Sequence, residues 1–312
     1  MTTLGIILLA SGAYGLNALA MLIDKWLLSD KDDPIPAGAY VLMICGLGGL
    51  ILIGAPWWLT SLSVRETLLA AWAGLAFVLG LWTMFTALNG ASPLRVSPVI
   101  GALSPIFVTS LAYLFSVEQI SESLVPGIII LIIASAAFAF DARTIGFCIR
   151  CKFSYLLFAA ISFGLSMLFL KLLFNTVPFL SGFLWSRMFA ALGAAFFLFS
   201  PPIRAWLWQK IHPVKKHLPR SERRRFMPIF FLGQILGAAS FILVSFSVSL
   251  GSASLVNSLQ GVQYGILFIG SLFLSRLFPK RWQEHTDVAS IVQKIVGLVI
   301  LGVGLWMIVI NA

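Results

Sequence analysis

Arg187 stands in the middle of the apolar run Phe179-Leu-Ser-Gly-Phe-Leu-Trp-Ser-Arg187-Met-Phe-Ala-Ala-Leu-Gly-Ala-Ala. Placing a guanidinium at that depth of a hydrocarbon layer costs about 2.5–3.5 kcal/mol, so the side chain must face protein or water. Its N–H donors form a planar fork that matches a carboxylate or a phosphate, and the chemistry on offer is charge-assisted capture of an anion. The competing role is structural, a pairing with backbone carbonyls or amide side chains. Lys171, in the preceding apolar run, is a second cation, close enough to the end of its run to extend toward the surface. No acidic residue lies deep in an apolar run; Asp24 comes nearest, close to the end of the first. Exchange of a proton for a cationic solute calls for a carboxylate at mid-depth, so this balance favours an anionic or zwitterionic solute.

Asn257, Gln260 and Tyr264 fall at i, i+3 and i+7 on one helical face, with Gln263 beside them. An amide or hydroxyl is costly in hydrocarbon unless it is paired, so this face must meet a polar solute, water or another polar helix. Tyr14 and Asn17 share a face of the first apolar run, and Ser166 stands in the sixth where Asn17 stands in the first. Trp82, Thr86 and Asn89 share a face of the third. Ser97-Pro98 and Ser104-Pro105 lie seven residues apart in the fourth, hence on one side. Each proline removes a helical hydrogen bond, which bends the helix or frees a carbonyl for a ligand. These side chains, together with Lys171 and Arg187, are the candidate substrate-binding set. For Trp82 the alternative role is lipid or core packing and for Lys171 snorkelling to the surface; for the amides and hydroxyls it is interhelical hydrogen bonding, worth about 0.6–2 kcal/mol per contact.

Other chemistries find little support. Cys148-Ile-Arg-Cys151 has no second pair or neighbouring histidine to complete a zinc site, and with Cys45 it makes three cysteines, not a disulfide framework. Asp30-Lys-Asp32-Asp33 could offer magnesium ligands but sits before Pro34 and reads more simply as a solvated turn. His212, His217 and His285 lie in loops beside basic residues, and no nucleophile has a visible base. No metal or cofactor is expected, and an integral-membrane enzyme is a remote alternative.

The elements that must position these groups follow from composition: 60% of the residues are hydrophobic and 10% charged. Ten apolar blocks, at about 4–28, 37–59, 67–89, 94–115, 124–140, 154–174, 178–199, 228–250, 253–273 and 288–310, have the length to cross a bilayer. They lack the polar alternation of barrel strands and must be helical, since lipid offers backbone amides no other partner. The expected class is an all-α integral membrane protein with ten transmembrane helices. The first block has no basic n-region and is too long for a signal-peptide core, so it reads as a retained helix. Loops after odd-numbered blocks hold Lys31, Arg143, Arg150, Lys152, Arg276, Lys280, Arg281 and the large group from Arg204 to Arg225, whereas those after even-numbered blocks hold only Arg65. Positive charge marks the cytoplasmic side, which puts both termini outside. The basic loop at 201–227 supplies most of the net charge of +10, and its run from Lys215 to Arg225 lacks the interleaved aromatics and glycines of a nucleic-acid module, so its expected partner is the anionic membrane lipid surface.

The two halves repeat. Tyr14-Gly-Leu-Asn-Ala-Leu in the first block matches Phe163-Gly-Leu-Ser-Met-Leu in the sixth. The stretch from Thr86 to Ser97 similarly matches that from Ser247 to Ser258, and the fifth block aligns with the tenth. An odd number of helices per half inserts the second copy upside down, giving a five-plus-five inverted repeat: 1–141, then 154–312 carrying the basic loop. Such halves can exchange conformations around a shared midplane site, which is the logic of alternating access.

With these features the chain resembles the drug/metabolite transporter superfamily with paired EamA-like domains. The most specific piece is Leu103-Ser-Pro105-Ile-Phe-Val-Thr-Ser-Leu-Ala-Tyr-Leu-Phe-Ser-Val-Glu118, similar to the family's fourth helix with its proline and following glutamate; Lys294-Ile-Val-Gly-Leu-Val-Ile-Leu-Gly-Val-Gly304 looks like its last helix. The chain departs from the pattern after the ninth block, where Glu284 follows only a longer segment, and in the orientation of its termini. The resemblance implies a central cavity lined largely by helices 1, 3, 4, 6, 8 and 9. The expected activity is secondary transport of a small polar metabolite, anionic or zwitterionic by the charge argument, in the cell (plasma or inner) membrane. A lipid or lipid-linked-sugar flippase of the same fold is the alternative, and a homodimer is compatible with the sequence without being required by it.

Overall fold

The structure, a computed structural model, describes residues 2–28, 36–50, 59–88, 93–117, 121–139, 153–211, 220–277 and 288–311. Among these residues every regular element is helical. In chain order they are α1 (Thr3–Leu28), α2 (Ala37–Leu50), α3 (Val64–Leu88), α4 (Pro93–Leu114), α5 (Val125–Ala139), α6 (Phe153–Phe174) and α7 (Phe179–Ala195). A 3₁₀ turn (Phe196–Phe199) leads to α8 (Pro201–Ile211), α9 (Arg220–Leu250), α10 (Ala253–Ser258), α11 (Gln260–Leu277) and α12 (Val288–Asn311). Eight described spans are long and apolar enough to cross a membrane, and α2 and α5 are shorter apolar helices. The class is thus a multi-pass helical membrane protein.

Local chemistry sets several of the boundaries. Ser63 and Glu66 form a capping box on α3: the Ser63 amide and hydroxyl both donate to Glu66 Oε2 at 2.8 Å. Ser252 caps α10 by accepting the Leu255 amide at 3.2 Å. The prolines of α4, Pro98 and Pro105, stay inside the helix. The single span expected at 253–273 is broken at Leu259 into α10 and α11, which changes the axial environment between Asn257 and Gln260.

The basic stretch expected as a loop at 201–227 differs from that reading at both ends. Pro201 opens the helix α8, as proline can at a first helical position, and α9 begins at Arg220, eight residues before the apolar block. Arginine and glutamate in Arg220-Ser-Glu-Arg-Arg-Arg are good helix formers, so the helix continues through Pro228 into the charged segment.

Close approaches at small residues fix how the helices pair. On α1 and α9, Gly233 meets Ile23 and Asp24, Gly237 meets Ala20, and Gly251 meets Ile6, so the two run antiparallel. Phe163 packs under Gly80 and Trp72 lies 6.5 Å from Phe169, which sets α3 antiparallel to α6. Gly127 against Ile308 and Gly304 against Leu131 join α5 to α12, while Gly49 on Ala191 and Gly38 on Ile203 and Phe197 join α2 to α7 and α8. Tyr264 over Gly101 and Asn257 on Ser104 join α4 to α10 and α11. These contacts define two ends of the molecule. Asp24, Gly38, Ile203 and Gly233 lie at the end that carries the basic segment, and Ile6, Lys171 and Gly251 lie at the other.

Candidate functional site

A cavity of about 490 Å³ lies among α1, α2, α3, α4, α6, α7, α9, α10 and α11. The family resemblance implied six of these spans; α2 and α7 are additional, and α5 and α12 contribute no described lining residue. The lining runs from mid-helix positions, such as Asn17, Ser166 and Arg187, to Asp24, Leu88, Phe231 and Gln234 at the basic end. Most of the wall is apolar, so each polar group on it is conspicuous.

Arg187 projects from α7 into this space and is 7% exposed. Its guanidinium carbon lies 4.2 Å from the centroid of the Phe77 ring and 4.3 Å from that of Phe241, with Phe183 at 5.7 Å. Nε and Nη2 are buried and have no hydrogen-bond partner among the described residues. The aromatic faces hold the cation by its π surface and leave the N–H edge unspent. Arg187 is thus a buried cation on the cavity wall with donors left unpaired among the described residues.

The polar groups that α1, α4, α6, α10 and α11 bring to the wall are ordered by their own contacts. Asn17 donates to Gln263 Oε1 at 2.9 Å, and the Gln263 amide nitrogen lies 2.8 Å from Met21 Sδ. Asn257 donates to the Ser104 hydroxyl at 3.0 Å, and Ser97 approaches Met21 Sδ at 3.7 Å. Ser166 donates to the Ala73 carbonyl at 2.8 Å, so its hydroxyl proton is committed to α3.

Nine of the sequence-derived candidates line the cavity together: Tyr14, Asn17, Ser97, Ser104, Ser166, Arg187, Asn257, Gln260 and Gln263. Four do not. Trp82 is 37% exposed and faces outward against Phe197, with Thr86 one turn further on donating to the Trp82 carbonyl at 2.7 Å. The α3 stripe that does line the cavity is Phe77, Leu81, Met84, Phe85 and Leu88, turned away from that face. Tyr264 is fully buried with its phenol over Gly101, in the α4 interface. Lys171 is used at the end opposite the basic segment, where Nζ donates to the Val248 carbonyl at 3.2 Å and to that of Gly251 at 2.6 Å. It neutralises the negative end of α9 and satisfies carbonyls that have no helical partner. Asn89, Asp30, Asp32, Asp33, Glu118, Cys148, Cys151, Glu284 and the three histidines lie outside the described residues.

The sequence reading missed Asp24 as a wall residue. It lines the cavity near its basic end and accepts a hydrogen bond from the Tyr40 hydroxyl at 2.9 Å. Among the described lining residues Asp24 is the one acid and Arg187 the one base. Phe77 and Phe241, the two rings nearest the guanidinium, carry no sequence signal that separates them from the other phenylalanines.

No family model matches the sequence, and no curated protein matches it. Chains of known structure do match, 27 of them, including a crystal structure described simply as that of a protein. It is 14% identical and superposes with a TM-score of 0.59 over 96% of this chain and 99% of its own. At that identity the likeness speaks for the fold alone, and the fold and site together define a multi-pass helical membrane protein with a polar group set inside a mid-bundle cavity.

Proposed function

We propose that this protein is a ten-helix secondary transporter that carries a small polar metabolite bearing an anionic group, by alternating access of two inverted five-helix halves in the cell membrane. The observation that carries this reading is Arg187, buried inside the cavity with Nε and Nη2 unpaired. Soluble ligands of this size class bind in cavities of about 300–1,000 Å³ with a few convergent polar groups, and 490 Å³ falls in that range.

The packing supports the inverted repeat. Exchanging the halves turns the α1–α9 pair into α6–α3, and both pairs are extensive. The pairs α2–α7, α5–α12 and α4 with α10–α11 map onto themselves, and all three occur. The cavity reaches toward the basic end, which the positive-inside rule assigns to the cytoplasm. At the other end Lys171 clasps the end of α9, Ile6 fills the space at Gly251, and Thr60 and Ser181 hydroxyls meet at 2.8 Å. On this reading the solute enters from the basic end, and the described contacts hold the other end together. No ATP-binding motif stands in the sequence, so an ion gradient or solute exchange supplies the energy.

One observation favours a flippase as second reading. Phe231 and Ile235 of α9 line the cavity and are also 48% and 64% exposed, and α2 and α9 make no extended contact among the described residues. A lateral opening there would admit a lipid.

The test is thermal stability of the purified protein against a panel of carboxylates, amino acids, sugar phosphates, nucleotides and phospholipids, with wild type and Arg187→Gln in parallel. A ligand at 100 times its Kd adds about 2.7 kcal/mol of stability. Stabilisation by a soluble anion that vanishes in the variant supports the reading. Stabilisation by lipids alone, equal in both proteins, would overturn it in favour of the flippase.

A further inference from the structure

Among the described lining residues the cavity carries one acid and one base, and the two sit at different depths. Arg187 lies 4.2 Å from the ring of Phe77, and the Tyr40 ring, whose hydroxyl holds Asp24 at 2.9 Å, lies 4.6 Å from that of Phe85. On α9 the guanidinium rests on the Phe241 ring at 4.3 Å and the Asp24 carboxylate lies 3.7 Å from where a Cβ on Gly233 would stand, positions eight residues apart, which at 1.5 Å per residue puts the two charged groups about 12 Å apart along that helix. Leu81 and Met84, on the same α3 stripe, fill the wall between them with apolar surface.

Building on the transporter reading, we infer that the solute is a linear zwitterion, its anionic group held at Arg187 and its ammonium at Asp24 across an apolar chain. Taking a hydrogen-bond length of about 2.9 Å at each end from about 12 Å leaves roughly 6 Å between the solute's own charged atoms. An α-amino acid, whose two charges sit on adjacent carbons, satisfies one group and leaves the other unpaired. An ω-amino acid with three carbons between its charges spans that gap when extended, and one with five spans it with a bend in its chain, so both reach the two groups. Tyr40 orients the Asp24 carboxylate by donating to Oδ1, and the proposed ammonium contact falls to Oδ2, for which no hydrogen bond from the described residues is present.

The probes are 6-aminohexanoate, its isomer 2-aminohexanoate and hexanoate, with binding to purified protein measured by calorimetry for wild type, Asp24→Asn and Arg187→Gln. Wild type is expected to hold 6-aminohexanoate at least about tenfold more tightly than either other probe, because only that probe makes both charge-assisted contacts. Asp24→Asn lowers it to the affinity of hexanoate, and Arg187→Gln removes binding of both. Equal affinity for the two isomers, or for hexanoate and 6-aminohexanoate, overturns the zwitterion; if Arg187→Gln still abolishes that binding, the anion site stands. Absence of binding by all three also overturns it, and the broader ligand panel then judges the transporter reading separately. The comparison among probes is made on wild type, so it decides the matter even where Asp24→Asn folds poorly.

Discussion

Removing Arg187 is expected to stabilise the ligand-free protein. A guanidinium at the middle of a membrane helix carries a penalty of about 2.5–3.5 kcal/mol. Here the described compensation consists of the faces of Phe77 and Phe241, at 4.2 and 4.3 Å, each worth about 1 kcal/mol. The balance leaves the buried cation about 1 kcal/mol unfavourable, because Nε and Nη2 find no partner among the described residues. Arg187→Met keeps a long flexible side chain that packs on the same rings through its sulfur. The variant should therefore melt about 2 °C higher than wild type in ligand-free detergent solution at one scan rate, and should lose the anion-induced shift. This is the pattern of a residue retained for function against stability. A melting temperature lower by 5 °C or more would refute the reasoning, since it would mean that the guanidinium ties helices together.

Lys171→Met deletes two charge-assisted hydrogen bonds to Val248 and Gly251 and should cost about 1–3 kcal/mol in thermal stability. With Cys45, Cys148 and Cys151 replaced by serine, it should also raise labelling of a Ser254→Cys probe, buried in wild type, by a membrane-impermeant maleimide severalfold; unchanged labelling would show that the outer end is sealed without the lysine. Gly101→Ala puts a Cβ into the Tyr264 phenol, so about 1–3 kcal/mol of overpacking is expected in a melting experiment. Tyr264→Leu in the same chain should recover most of that loss, and failure to recover it would place the strain elsewhere.

The helical class and most of the polar wall were legible because membrane insertion leaves two strong signals, apolar length and the rarity of polar groups within it. Asn17, Asn257, Gln263 and Arg187 stand out on those grounds and all meet the cavity. Trp82 and Thr86 share a face as cleanly, but periodicity says which residues point together and not where they point. On α3 the cavity takes the stripe from Phe77 to Leu88, which is apolar and silent in the sequence. Lys171 and Asp24 exchange their expected places for a related reason. Both are charges near helix ends, where snorkelling to the surface is the default. Which of them turns inward depends on the neighbour across the interface: the open carbonyls of α9 take Lys171, and Tyr40 of α2 takes Asp24.

The same packing bears on how a cavity closed at one end could open there. Under exchange of the two halves, the contact of α3 with α7 corresponds to that of α9 with α2. The first is tight: a Cβ on Gly74 would lie 2.5 Å from the Ser186 carbonyl and 2.6 Å from the Ala190 amide, backbone atoms that cannot step aside. The second is not an extended contact among the described residues, and Phe231 and Ile235 look into the cavity beside it. On the proposed inverted repeat, two halves in unlike arrangements would each have the other's arrangement within reach. The opposite state of the proposed transporter would then be one in which α9 closes on α2 at the basic end while α7 leaves α3 at the other end. Arg187 sits on α7 and rests on Phe77 of α3 and Phe241 of α9, so that motion would pull apart the aromatic faces that hold it. On the transporter reading, an anion bridging the unpaired N–H edge to the polar wall would replace them, which would tie the movement of the helices to the presence of the solute.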